Sequence, residues 1–524
     1  MSMRYLLLIL ILLAGCSEDP KYDVILLNGK IIDGSGTEPY TGSVGIKNDK
    51  IVAIGNLQGK ARQVINATGL VISPGFIDMH THAVRGIFDV PTAEAFLFQG
   101  VTTLTDGNDG TSPLPIGEHY KKISSTKISP NWAVFVGQGT VRREVMGLEN
   151  RAPTNQELEQ MVSIVDQAMK EGALGLSSGL FYVPGSFSTK NEVVELAKVA
   201  SKYGGIYISH MRDEAALIIE SVNETIDIGK LAKLPAVITH HKVIGKSNWG
   251  LSKETLKLVD NAVNQGFDVY LDQYPYTASQ TSLRALIPQW AQAGGREMLL
   301  QRIEDPEIRA KIKEEIVERI LFDRGGGDPK NVVISEAKWD TSLEGKNLAE
   351  ITISYGLEPS AENAAETVFK IYKQGNARAV FHAISDEDVK NIMQHPRASI
   401  ASDGPMMVFG VGKPHPRSYG TYPRVLGKYV REQNIISLPE AIRKMTSLPA
   451  KVLSIEKRGL IKEDYYADIV VFNEKTISDN ATFQNPHQYS NGVEYVLING
   501  VIVIKDGKHT GAKPGKVLHG PGYK

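Results

Sequence analysis

Between Tyr22 and about Ser73 the apolar positions come in short β-branched runs: "YDVILLNGKIIDGSG", "GSVGIKNDKIVAIGNL" and "ARQVINATGLVISPG". Gly, Asn and Asp break each run, which predicts small antiparallel strands. The same texture returns near the C-terminus in "ADIVVFNEKTI" and "VEYVLINGVIVIKDGKHTG". Two β-rich ends around a differently patterned middle predict one small β-domain, built from residues 17–73 plus 455–524.

The middle alternates instead. Apolar strand candidates are "VISPGFIDMHTH", "GVTTLTDGNDG", "NWAVFVGQGT", "GALGLSSGL", "GIYISHMR", "PAVITHHK", "FDVYLDQYPY" and "RASIASDG". Helix-patterned stretches such as "NEVVELAKVASKYG" and "AALIIESVNETIDIGKLAKL" lie between several of them. Eight strands alternating with helices predict an α/β chain with a (β/α)8 (TIM) barrel over residues 74–454. A longer, more polar and helical stretch, residues 284–375, separates strands seven and eight and reads as an insertion. It contains the loop signature "FDRGGGDPKN".

Composition narrows the class. The 524 residues are 42% hydrophobic and 22% charged, as in a soluble globular protein. A formal net charge of −1 gives no basic face for a nucleic-acid partner. The leader "MSMRYLLLILILLAGCSEDP" carries an apolar run from Tyr5 to Ala14, too short to span a bilayer. It reads as a signal peptide over residues 1–15. Leu13-Ala14-Gly15-Cys16 resembles the bacterial lipoprotein box, which implies lipidation of Cys16 and a membrane anchor. An ordinary secretory leader with a coincidental cysteine is the alternative. Ser17 implies, by the same resemblance, outer-membrane sorting and a periplasm-facing location in a Gram-negative source. Cys16 is the only cysteine, so no disulfide and no cysteine ligand is available to the mature chain.

The polar residues at the strand ends carry the chemistry. Strand one ends in His80-Thr81-His82, whose imidazoles share a face because positions i and i+2 of a strand do. Strand two ends near Asp109, strand five in His210, strand six in His240-His241 and strand eight in Asp403. Active sites of this barrel lie at the C-terminal strand ends. Imidazole and carboxylate together suit zinc and similar divalent ions, which make a water nucleophilic at neutral pH. A carboxylate that takes the water's proton and returns it to the leaving group completes a hydrolase, and Asp403 is placed for that role.

"PGFIDMHTH" with this ring resembles the amidohydrolase superfamily, whose barrel is joined to a small β-sandwich formed by both termini. More narrowly, "GALGLSSGLFYVPGSFST", "YISHMRDE", "ITHHKVIGKSNWG", "YPYTAS", "ASDG", "HPRSYGTYPRVLGKYVRE" and "AIRKMTSLPAKVLSIEKRGLI" resemble the D-aminoacylase (N-acyl-D-amino-acid deacylase) family. They cover most of residues 22–510 in the family's order. Many members end strand two in Gly-Asn-Cys-Gly with the cysteine as a metal ligand; here Asp109 stands in its place. The resemblance implies a tight zinc site of Asp109, His210 and His240, and a weaker second site of His80, His82 and Asp109. His241 is the alternative to His240, and Asp106 does not align with the ligand position. The resemblance further implies that Arg417, Lys242 and Tyr274, with Tyr276 as the alternative tyrosine, bind the substrate's α-carboxylate. His382 reads as a buried structural imidazole or a pocket residue.

The expectation is therefore a zinc-dependent hydrolase of N-acyl-D-amino acids, acting on linear, non-peptide amide bonds. Rival readings are a dipeptidase releasing a C-terminal D-residue, a hydrolase of other linear or cyclic amides, and a membrane-tethered binding protein on a decayed barrel.

Overall fold

The computed structural model describes residues 20–524; the leader and Cys16 lie outside them. Eight short parallel strands organise the middle of the chain: β1 (Phe76–Asp78), β2 (Val101–Asp106), β3 (Asn131–Val134), β4 (Gly175–Gly179), β5 (Ile206–His210), β6 (Ala236–Ile238), β7 (Val269–Gln273) and β8 (Ala398–Ile400). β1, β2 and β3 pair in that order as one parallel sheet. A second parallel sheet begins with Val136–Gly137, directly after β3, and continues through β4, β5, β6, β7 and β8. At the far side, β8 and β1 meet without a ladder of their own. There Ser402 N donates to Asp78 Oδ1 at 3.0 Å and Asp403 N to His80 O at 2.9 Å. Just beyond, Gly404–Pro405 pairs in parallel with Thr81–His82. The strands are buried along their length, as expected where helices cover a parallel sheet.

Both termini contribute to one nine-stranded sheet. Its central strand, Tyr22–Ile31, pairs with Tyr40–Lys47, with Ala61–Asn66 and with Val71–Pro74. The C-terminal strands Ile469–Phe472, Val493–Ile498 and Val501–Lys505 extend it past Val71–Pro74. Val24, Leu26, Val44, Ile46, Ile72 and Ile469 bury one face. A polar cluster ties this sheet to the foot of β3. Asp468 accepts from Asn131 Nδ2 at 2.9 Å and from Asn499 N at 2.7 Å, and it pairs with Arg458.

Residues 279–381, between β7 and β8, build a compact subdomain. Its helices Pro306–Phe322 and Ala361–Gln374 pack on a three-stranded antiparallel sheet of Ser279–Ser282, Arg378–Phe381 and Val332–Glu336. Leu299, Ile316, Ile320, Ile334, Val368 and Phe381 form its own core. No helix among the described residues is long and apolar enough to cross a membrane.

Candidate metal centre

The turn after β2 decides where Asp109 points. Asp109 and Gly110 both take left-handed backbone, at φ 55° and 69°. Asp tolerates this conformation better than most residues and Gly adopts it freely. The neighbouring backbones are too close for side chains: a Cβ on Gly137 would lie 2.5 Å from the Gly110 carbonyl carbon. The turn is thus wedged against the ends of β3 and β4, and the Asp109 carboxylate projects over the strand ends.

His240 and Asp403 are also left-handed, at φ 37° and 50°. Such backbone costs about 1–3 kcal/mol for a residue other than glycine and persists where neighbours over-determine it. For His240 the neighbour is Asp272, which accepts from His240 N at 2.7 Å. Non-glycine strain of this kind concentrates at functional sites.

The side chains form two groups that share Asp109. His80, His82, Asp109 and Asp403 offer ligand atoms within 4.8 Å of one another, and so do Asp109, His210 and His240. Two atoms bound about 2.1 Å from a tetrahedral ion lie about 3.4 Å apart. The Asp109 oxygens lie 3.5 Å from His80 Nε2, 3.3 Å from His82 Nε2, 3.7 Å from His210 Nδ1 and 3.3 Å from His240 Nε2. His80 Nε2, Asp109 Oδ1 and both ring nitrogens of His210 are buried without a hydrogen-bond partner among the described residues. Leaving such atoms unsatisfied costs about 1–3 kcal/mol each, and a divalent cation at their convergence would satisfy them. The donor set fits zinc.

Surrounding groups fix the tautomers. Thr239 Oγ1 donates to Asp272 Oδ2 at 2.7 Å, so it accepts from His80 Nδ1, which leaves the His80 Nε2 lone pair facing the centre. Burial holds His80 down at about 3, hence neutral and able to ligate. Burial and Lys242 act to lower His240, but Asp109 and Glu214 together raise it to about 9. Burial opposes ionisation of Asp403, yet Arg417 first, then His80 and His82, hold its carboxyl well below the usual carboxylate range.

The structure separates the alternatives left open by sequence. His241 turns away, its Nε2 2.8 Å from Thr255 Oγ1, and lies in neither ligand group. Asp106 accepts from Val84 N and Gly107 N at 2.7 and 2.6 Å, which commits it to the backbone. Tyr274 lies beneath the Arg417 guanidinium, 4.6 Å from carbon to ring centre, with a buried hydroxyl that has no described partner. Tyr276 packs on Arg424 and His415 instead. His382 meets Phe483 edge to face, away from the cavity over the ligands. Lys242 Nζ lies 2.5 Å from Glu214 Oε1, 2.7 Å from His240 Nδ1 and 2.8 Å from His240 O, so a substrate carboxylate would have to displace one of these contacts.

Glu214 and Arg324 were not anticipated. Glu214 is buried, 3.2 Å from His240 Nδ1, 3.6 Å from His210 Nε2 and 3.2 Å from Arg324 Nη2. A carboxylate behind metal-ligating imidazoles is a recurrent way of orienting them. Its position four residues after His210 was the available signal. Arg324 comes from the glycine-rich loop of the subdomain and had none.

Parallel strands crowned by a histidine–carboxylate cluster that fits a divalent ion define a metal-dependent hydrolase of the amidohydrolase type. Residues 63–504 match the profile described as Amidohydrolase family. The D-aminoacylase of Alcaligenes xylosoxydans xylosoxydans is 32% identical over 96% of this chain and 98% of its own length. The N-acyl-D-aspartate deacylase of the same organism is 32% identical over 95% of each chain. The crystal structure of N-acyl-D-glutamate deacylase from Bordetella bronchiseptica, complexed with zinc and a phosphonate mimic of the tetrahedral intermediate, superposes with a TM-score of 0.82 at 31% identity. It covers 95% of this chain and 100% of that one. The chain belongs to the amidohydrolase family, within its D-aminoacylase group.

Proposed function

We propose that the protein is a zinc-dependent amidohydrolase that cleaves N-acyl-D-amino acids to a carboxylate and a free D-amino acid. The observation that carries this reading is the pair of ligand groups sharing Asp109, with Asp403 beside both His80 and His82. Asp109, His210 and His240 would hold the tight ion, and His80, His82 and Asp109 a weaker one. When bound, zinc supplies Lewis acidity toward the amide carbonyl and makes a water nucleophilic at neutral pH.

The remaining steps belong to the chain's own residues. Asp403 accepts the proton from the attacking water and delivers it to the departing amine nitrogen. Arg417 offers a planar fork to the α-carboxylate, with Tyr274 stacked beneath it and its free hydroxyl to hand. Lys242 adds positive charge from its seat on Glu214. The eight parallel strands form, in this reading, a closed (β/α)8 barrel over residues 74–454. The terminal strands, described from residue 20, are read as the β-sandwich domain expected from 17–73 plus 455–524, and the subdomain of residues 279–381 as the insertion expected at 284–375. The leader, ending in Leu13-Ala14-Gly15-Cys16, supports a periplasm-facing position in the bacterial cell envelope, with lipidated Cys16 as an outer-membrane anchor.

The reading is tested by removing metal with a chelator and restoring zinc while acetate and D-methionine release from N-acetyl-D-methionine is followed. Activity must be lost and regained with zinc; chelator-resistant hydrolysis would exclude the metal-dependent route. Labelled palmitate should enter the wild-type chain and fail to enter Cys16→Ser.

A further inference from the structure

The cavity over the metal centre carries more positive charge than one α-carboxylate requires. Arg85, Arg143, Arg284 and Arg378 line it together with His82, Asp109, His210 and Asp403. None of the four guanidiniums forms an ion pair within 4 Å among the described residues, whereas Arg324 and Arg417 do. Arg378 is held in this company at a cost: burial, then Arg85, lower it to about 10, with Glu336 opposing from beyond contact distance. Glu336 is itself paired with Lys338. Gathering unpaired cations at one mouth, in a chain of net charge −1, creates a field that attracts anions.

The edge strand of the subdomain sets the backbone step from the α-carboxylate clamp to the positions that carry two of these cations. At its inner end Arg417 Nη2 donates to Gln280 O at 3.3 Å. Two residues further on, Ser282 lies opposite Arg378 in the antiparallel ladder, and Arg284 follows. At the rise of a β-strand this step is about 7 Å. The side-chain carboxylate of a D-glutamate lies only four bonds from its α-carboxylate, about 5 Å at most. A terminal carboxylate on a four-carbon dicarboxylic acyl group lies six bonds away, about 7.5 Å when extended.

We propose that Arg284 and Arg378 form a second anion subsite that selects substrates whose acyl group carries its own negative charge, such as a dicarboxylic acyl or an acidic peptidyl group. This deepens the deacylase reading and rests on it. Arg85 and Arg143 supply further positive charge around the mouth.

The test compares kcat/KM of the zinc-loaded protein for N-acetyl-D-methionine, N-succinyl-D-methionine and N-acetyl-D-glutamate. N-succinyl-D-methionine should exceed N-acetyl-D-methionine by about tenfold or more, the effect of one charge-assisted hydrogen bond, expressed mainly in KM. That advantage should shrink toward unity in Arg284→Gln and in Arg378→Gln, with folding checked by thermal melts. Because Arg284 is exposed, its variant keeps the test open even if Arg378→Gln fails to fold. Equal rates for the succinyl and acetyl substrates would overturn the proposal, as would an advantage that survives both substitutions. A gain confined to N-acetyl-D-glutamate would move the anion to the amino-acid side chain and equally overturn it. Hydrolysis of none of the three would instead remove the deacylase reading on which the subsite depends.

Discussion

Arg417 Nη1 lies 2.7 Å from Asp403 Oδ2, with both side chains almost wholly buried. The same guanidinium that suits a substrate carboxylate therefore holds the candidate general base ionised. A substrate α-carboxylate arriving at Arg417 would compete for it and let the Asp403 pKa climb from its depressed resting value, toward the range in which it can accept and return a proton. Binding and proton transfer are coupled through one arginine.

This pairing predicts a pH signature. Arg417 lowers the Asp403 pKa, so removing it raises that pKa, and the acid limb of kcat/KM should move to higher pH in Arg417→Gln. The same variant should lose about 100-fold or more in kcat/KM, since it leaves a buried charge unpaired. Asp403→Asn should lose about 10²–10⁴ in kcat while zinc content stays near wild type. An unmoved acid limb in Arg417→Gln would show that Asp403 is not the group titrating there.

Asp109 is shared by both ligand groups, so its loss should empty both. Asp109→Ala should bind little zinc by elemental analysis while keeping its circular dichroism, and Asp109→Cys should recover the tight ion through a thiolate. His240→Ala should lose zinc as well. His241→Gln should keep it, because His241 points to Thr255 rather than to the centre. Zinc retention in His240→Ala alongside loss in His241→Gln would reverse that assignment.

Away from the metal, His119 makes stability pH-dependent. Its Nε2 accepts from the Trp132 indole at 3.1 Å, and burial, helped by Lys122, lowers it from 6.5 to about 4. The unfolded chain takes up the proton first, so this contribution is complete above about pH 6.5 and is lost as pH falls toward 4. The window is worth up to about 3 kcal/mol. His119→Gln keeps an acceptor that does not titrate, so denaturant unfolding should show a flatter decline between pH 6.5 and 4. Identical slopes in both proteins would contradict the assignment.

The ring of His80, His82, Asp109, His210, His240 and Asp403 was legible in sequence because a barrel collects strand ends, and few other histidines sit at such ends. The choice between His240 and His241 was left open, because both lie in the turn after β6 rather than on the strand. Arg324 was not legible, since it reaches the site from a loop whose path depends on tertiary packing, and Glu214 had only its spacing from His210 as a cue. The subdomain reads as helical in sequence. Its sheet strands, Ser279–Ser282, Val332–Glu336 and Arg378–Phe381, are four or five residues long and lie far apart in the chain. Runs that short show too few alternations to stand out from neighbouring helical patterns. The left-handed backbone at Asp109 and Asp403 had a local cue in Asn-Asp-Gly and Ser-Asp-Gly, whereas His240 had none.

Metal-dependent hydrolysis confined to the D enantiomer can be checked in a single comparison. Residues 17–524, reconstituted with zinc, should release amine from N-acetyl-D-methionine and leave N-acetyl-L-methionine intact. Cleavage of the L form alone, or of neither with zinc bound, would rule out a zinc-dependent D-aminoacylase.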